Sequence, residues 1–187
     1  MHPPPREQLA GLILLLLCSG CATRVFLHPE TARDAFARHP VDPSRHGDSP
    51  EIVIVTNALG HRLNGWLFSA PTNHGVVLVG DGNATGIAHT YDYNRFLLNH
   101  GFNVLITSYQ GYDTNDGPAD IRSPTGDVEA FYAFARSRFT NQPVAFLAES
   151  LSTAVFFSVA GRHSEISCIV LEAMVNPKTV AIAKAHD

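Results

Sequence analysis

The sequence predicts an α/β fold, a mostly parallel sheet flanked by helices. Two features lead to it. From Gly75 onward, short apolar runs alternate with stretches of helical periodicity: VVLV at 76–79, FNVLI at 102–106, VAFL at 144–147 and ISCIVL at 166–171. Strands without a polar face are covered on both sides, as in parallel sheets between layers of helices. The second feature is the stretch 144–159, VAFLAESLSTAVFFSV, where an apolar strand, a tight turn carrying Ser150 and an apolar helix follow one another directly.

Composition narrows the function classes. A chain of 187 residues is long enough for one domain with its own core. Hydrophobic residues at 45% and charged residues at 16% are ordinary for a globular protein. A net charge of −4, with no basic stripe, gives nucleic acid no surface to bind. None of the ten histidines has the i, i+4 partner of an H-E-x-x-H motif, and no metal site or cofactor is expected.

At the N-terminus, residues 9–17 (LAGLILLLL) form an apolar run preceded by Arg6. A membrane-spanning helix needs about 20 such residues, so the run fits the apolar region of a secretory signal instead. Ser19-Gly20-Cys21 follows and resembles the end of a bacterial lipoprotein signal, with Cys18 where leucine is usual. That resemblance implies a signal at 1–20 and a lipid on Cys21. Ala22 after the cysteine implies an outer-membrane anchor facing the periplasm. A cleaved signal without lipid, giving a secreted or periplasmic protein, is the alternative. A C-x-x-C redox pair is a further reading, but that motif belongs beside a βαβ unit and here it abuts a leucine run. With Cys18 removed and Cys21 capped, Cys168 is the remaining thiol, and its apolar surroundings predict a buried, inert side chain.

Residues 21–50 read as a tether, with Pro29, Pro40, Pro43 and Pro50 along it and a helical turn or two at 32–38. The domain proper is 51–187. It opens with strands at 51–56 and 62–68 joined by a turn containing Leu59-Gly60. A strand at 76–79 follows, then a helix at 87–98 ended by Gly101, then a strand at 102–106. Ser123-Pro124 opens the next helix, with Ser123 as its cap and Pro124 as its first residue. The strand at 144–148, the helix after Ser150 and the strand at 166–171 complete the run.

Two loops at strand ends are candidate sites, because ligands of open α/β sheets bind there. Around Ser150 the sequence AESLS is a degraded G-x-S-x-G turn, with Ala148 and Ser152 in the glycine positions. Both residues are small, so strand and helix can still approach. The competing reading is a serine capping a helix through its hydroxyl. The second loop, GDGNATG at 80–86, admits two readings. As a dinucleotide loop it has one residue too many, and no acid for a ribose follows the next strand, where Thr107-Ser108-Tyr109-Gln110 stands. As an oxyanion-hole loop it stands after the third strand, where such a loop belongs. Leu151 would supply one backbone N–H, and Asn83 or Ala84 the other.

Taken together, four segments resemble the α/β-hydrolase superfamily, and within it the bacterial serine esterases and the serine-aminopeptidase-like group. GDGNATG is similar to that family's HGNA loop, with Asp81 in place of histidine. SYQGYDTNDG at 108–117 resembles D-Y-R-G-Y-G-x-S, with Ser108, Gln110 and Asp113 substituted. SPTGDVEAFYAF resembles the helix before the nucleophile, and AESLSTAV resembles G-E-S-L-G-T-A. The resemblance implies a serine hydrolase for a small-molecule ester or amide, with Ser150 as nucleophile and Leu151 and Asn83 as oxyanion donors. Catalysis in that family also needs an acid and then a histidine after the serine. Glu172, at the end of the 166–171 strand, is the candidate acid. His163 and His186 are the histidines that follow, and neither matches the family's position. The expectation is therefore a hydrolase domain without its last strands, incomplete or inactive as this chain. The alternatives are a non-catalytic, lipid-anchored binding protein of the same fold and, more remotely, a nucleotide-binding oxidoreductase.

Overall fold

The computed structural model describes Leu27 and residues 41–174. The signal segment, Cys21, the expected helical turn at 32–38 and His186 lie outside the described residues. Among the described residues six strands form one sheet: β1 (Glu51–Thr56), β2 (Arg62–Phe68), β3 (Val76–Gly80), β4 (Asn103–Thr107), β5 (Val144–Glu149) and β6 (Cys168–Glu172). Their spatial order is β1-β2-β4-β3-β5-β6. β1 and β2 pair antiparallel, as do β2 and β4; from β4 through β3 and β5 to β6 every pairing is parallel. The helices are α1 (Ile87–Asn94), α2 (Phe96–Asn99), α3 (Pro124–Arg138) and α4 (Leu151–Ala160).

The apolar strands are buried because both faces of the sheet are covered. In β3, Val76 and Leu78 face the core formed with α3 and α4, where Val128, Phe131, Phe156 and Val159 pack. Val77 and Val79 face the opposite core, with Ile87 and Tyr91 of α1 and Leu98 of α2. Each fully buried side chain of this size contributes about 1.5–3 kcal/mol, so the central strands hold most of the favourable apolar term. Gly65 of β2 packs closely under α3: a Cβ there would stand 2.7 Å from the Phe131 ring. The turn after β1 needs the positive φ of Gly60, at 83°, and is closed by the Asn57 side chain, which accepts from the N–H groups of Leu59 and His61.

Several expectations are corrected in detail. The helix at 87–98 is two pieces, with Arg95 between them. Gly101 ends the second with φ 82°, and its N–H donates to Leu98. Ser123 stands at the N-cap position of α3 but its side chain makes no cap hydrogen bond to the helix; its hydroxyl donates instead to the Asp120 carbonyl at 2.9 Å. Pro124 is the first helical residue, as expected. Cys168 is exposed rather than buried. It lies on β6, which has one neighbouring strand among the described residues. Part of the expected tether is docked on the domain. Residues Pro43–His46 form a 3-10 turn, and Asp48 accepts a 2.6 Å hydrogen bond from Tyr91.

Candidate active site

Ser150 sits between the end of β5 and the first residue of α4, with φ 50° and ψ −113°. A non-glycine residue in that region costs about 1–3 kcal/mol and persists only where its surroundings over-determine it. Here both sides of the residue are held. Its N–H donates to the Glu172 carbonyl at 3.0 Å, which ties it to β6. Its carbonyl accepts from the Thr153 N–H at 3.1 Å and the Thr153 hydroxyl at 2.6 Å. The hydroxyl of Ser150 makes no cap hydrogen bond to α4. The capping reading therefore fails, and the sharp strand-to-helix turn is what the serine occupies.

Small residues are needed around this turn because β3 and α4 nearly touch. A Cβ on Gly80 would stand 2.7 Å from both the Ser152 Cβ and the Phe156 ring. Ala148 and Ser152 are fully buried, and anything larger at either position would push the helix off the sheet. The loop 81–86 then passes directly beside Ser150: a Cβ on Gly82 would lie 3.9 Å from that of Ser150. Leu151 is the first residue of α4, so its N–H has no intrahelical acceptor. Asn83 lies on the adjacent loop, its side-chain oxygen accepting from the Tyr112 hydroxyl at 2.8 Å. Ser150, Leu151 and the Gly82–Asn83 backbone are thus gathered at one end of the sheet.

The electrostatics of this end are unusual. Asp81 is 1% exposed, and neither carboxylate oxygen has a hydrogen-bond partner among the described residues. Burial, and next the negative charge of Asp113, push its pKa well above the ordinary carboxylate range. The neutral acid is the form that fits such a site. Burial also raises the Tyr109 phenol well above its usual value, with Asp81 adding to the effect. A small, shallow depression opens at the ends of β3, β5 and β6, and its walls include Gly80, Tyr93, Glu149 and Glu172. Glu149 and Glu172 are register partners on neighbouring parallel strands. The Glu172 carboxylate accepts from the Tyr93 hydroxyl at 3.0 Å.

His163 is far from Ser150. It follows the far end of α4, a helix of ten residues, or about 15 Å, away from Ser150. There its Nε2 meets Glu129 at 2.7 Å and its Nδ1 faces Glu165 at 3.4 Å, so both ring nitrogens are engaged. Among the described residues no cluster of His, Cys, Asp or Glu suited to a metal ion is present, and no helix is long and apolar enough to cross a membrane.

Sequence reasoning missed the residues that support the site. Tyr109 and Tyr112 both reach it from the loop after β4. That loop is itself anchored by buried Asp127 of α3, which accepts from the Gln110 N–H at 2.9 Å and the Asn57 side chain at 2.7 Å. Two tyrosines in a short polar loop were the available signal, since buried tyrosines need partners for their hydroxyls.

No protein-family model matches the chain, and no curated protein matches it in sequence. Solved structures do match in fold. An esterase of Pyrococcus furiosus superposes with a TM-score of 0.66 at 18% identity, over 78% of this chain and 57% of its own. A cold-adapted esterase from an Arctic intertidal metagenomic library gives 0.57 at 17% identity, over 68% and 64%. A putative α/β hydrolase of Agrobacterium tumefaciens gives 0.60 at 16% identity, over 69% and 62%. The fold of this chain is the α/β-hydrolase fold, and the chain spans less than two thirds of each of these proteins.

Proposed function

We propose that this chain carries the nucleophile of a serine hydrolase that cleaves a small-molecule ester or amide by acyl transfer. The observation that carries the reading is Ser150: its backbone is held in a strained turn, its hydroxyl is not used as a helix cap, and two backbone segments flank it. In the proposed reaction the Ser150 oxygen attacks the substrate carbonyl carbon and its proton passes to a base. The N–H groups of Leu151 and Asn83 stabilise the oxyanion, the alcohol or amine departs with a proton, and water then releases the acid.

The base is the part the described residues do not supply. His163 is engaged at the other end of α4. Glu172 is placed to act as the acid only once a histidine is there to use it. With no base among the described residues, the chain by itself is expected to be almost inactive, keeping at most the residual rate that an oxyanion hole provides. Added imidazole can stand in for the missing base. With p-nitrophenyl acetate, imidazole is expected to raise hydrolysis above the protein-free background, and Ser150→Ala is expected to abolish the increment. Equal rates for wild type and Ser150→Ala at every imidazole concentration would refute the reading. Fast hydrolysis without imidazole would refute the missing base.

A second reading, a non-catalytic binding protein of the same fold, is favoured by Asp81. A carboxyl group stands there where the resembling family has histidine. In either case the proposal includes a lipid on Cys21 and attachment to the outer membrane. The intact mass of native protein extracted from its membranes tests this: cleavage before Cys21 plus lipid is expected, and an unlipidated chain would contradict it.

A further inference from the structure

The geometry points to Tyr112 and Ser152 as positioning residues that fix the Gly82–Asn83 peptide beside Ser150, an inference that rests on the acyl-transfer reading above. Residues 81–86 belong to no strand or helix, so the loop's path depends on side chains that reach it from elsewhere. Two such contacts bracket the peptide in question. On one side the Ser152 hydroxyl donates to the Asp81 carbonyl. That commits its single proton, so the Tyr109 hydroxyl, 2.5 Å from the Ser152 oxygen, is the donor of the second bond. On the other side the Tyr112 hydroxyl donates to the Asn83 side chain at 2.8 Å. A third contact lies further along, where a Cβ on Gly86 would come within 2.5 Å of the Asp113 carboxylate.

The two tyrosines are suited to this because they are fixed themselves. Both are 1% exposed, and their rings meet edge to face with centroids 5.9 Å apart. The Tyr109 carbonyl accepts from the Asn115 side chain at 2.9 Å, and the neighbouring Gln110 N–H is held by Asp127. Ser108 donates to Asp113 at 2.6 Å, closing the loop on itself. The serine at 152 therefore does more than replace a glycine sterically. Its hydroxyl links the nucleophile helix to the oxyanion loop, a link that glycine could not make. Preorganised donors act because they need no rearrangement as charge develops, so loosening this peptide costs rate and not substrate binding.

The test uses the full chain, p-nitrophenyl acetate and imidazole, with acetylation of Ser150 followed by mass spectrometry and the backbone at 82 and 83 followed by ¹⁵N relaxation. Tyr112→Phe and Ser152→Ala are each expected to slow acetylation about tenfold, less than the hundredfold or more that loss of a donor itself costs, with the apparent KM unchanged. In an Asn83→Ala background Tyr112→Phe should have a smaller effect than in the wild type. Order parameters at Gly82 and Asn83 should fall from about 0.85 to below about 0.6 in the two variants. Unchanged rates, or slower rates with unmoved order parameters, would overturn the inference. If Ser150 is not acetylated even in the wild type, the hydrolase reading fails instead, and the order parameters alone decide whether the two side chains position the loop.

Discussion

Asp81 is the residue whose chemistry departs furthest from its surroundings. A carboxyl group buried without a partner folds more readily as the neutral acid, so folding takes up a proton above the unfolded-state value of 3.8. Its raised pKa therefore costs nothing at low pH. The cost grows as pH rises from about 3.8 towards the folded-state pKa, at about 1.4 kcal/mol per pH unit. Asp81→Asn removes the titration, so its stability relative to the wild type is expected to rise with pH over that window and to exceed it at pH 7. Denaturant unfolding at a series of pH values measures this directly. A constant difference between the two proteins would show that Asp81 titrates normally. None of this was legible from sequence, where Asp81 was noted only as a substitution in a glycine-rich loop. Its raised pKa depends on burial within the folded chain and on the charge of Asp113, which belongs to a loop about thirty residues away. The strain at Ser150, by contrast, was foreseeable, because strand, turn and helix are contiguous and the turn's geometry is local.

At the scale of elements, the decisive contact is β3 against α4. Gly80 lets the strand end approach the helix, and the loop that follows inherits its position from that approach. Gly80→Ala would force a Cβ to within 2.7 Å of Phe156 and Ser152. The expected destabilisation is about 1–3 kcal/mol, the usual cost of an overpacked core, and it should appear as a lower melting temperature. A melting temperature equal to wild type would mean that strand and helix are not in close contact. Most elements were readable from apolar runs and helical spacing, including the hairpin of β1 and β2 and the stop at Gly101. The helix ends were less so. Ser123 has the residue type of a cap, yet its hydroxyl is taken by Asp120, three residues back, a choice that local composition does not reveal. The break at Arg95 had no signal either, since neither glycine nor proline marks it.

For the whole molecule, the parallel sheet and its two covered faces followed from the apolar strands, and the order β1-β2-β4-β3-β5-β6 agrees with that class. What the apolar runs did not reveal is which strands lie at the edges of the sheet formed by the described residues. β6 is as apolar in sequence as β5, yet Cys168 and Val170 are exposed, with Val170 at 51%. An edge differs from an interior strand in its neighbours and not in its own residues. The same limit applies to the active site. Ser150, the flanking loop and the first residue of α4 were named from local patterns. The supporting tyrosines and Asp127 were not, because they arrive through packing between distant segments. The measurement that bears most directly on the central claim is the mass of the protein, and of its peptide containing residue 150, after treatment with p-nitrophenyl acetate and imidazole. One acetyl group on Ser150, formed faster with imidazole and absent in Ser150→Ala, is the predicted result. Acetylation confined to lysines or the N-terminus, with Ser150 unmodified, would contradict it.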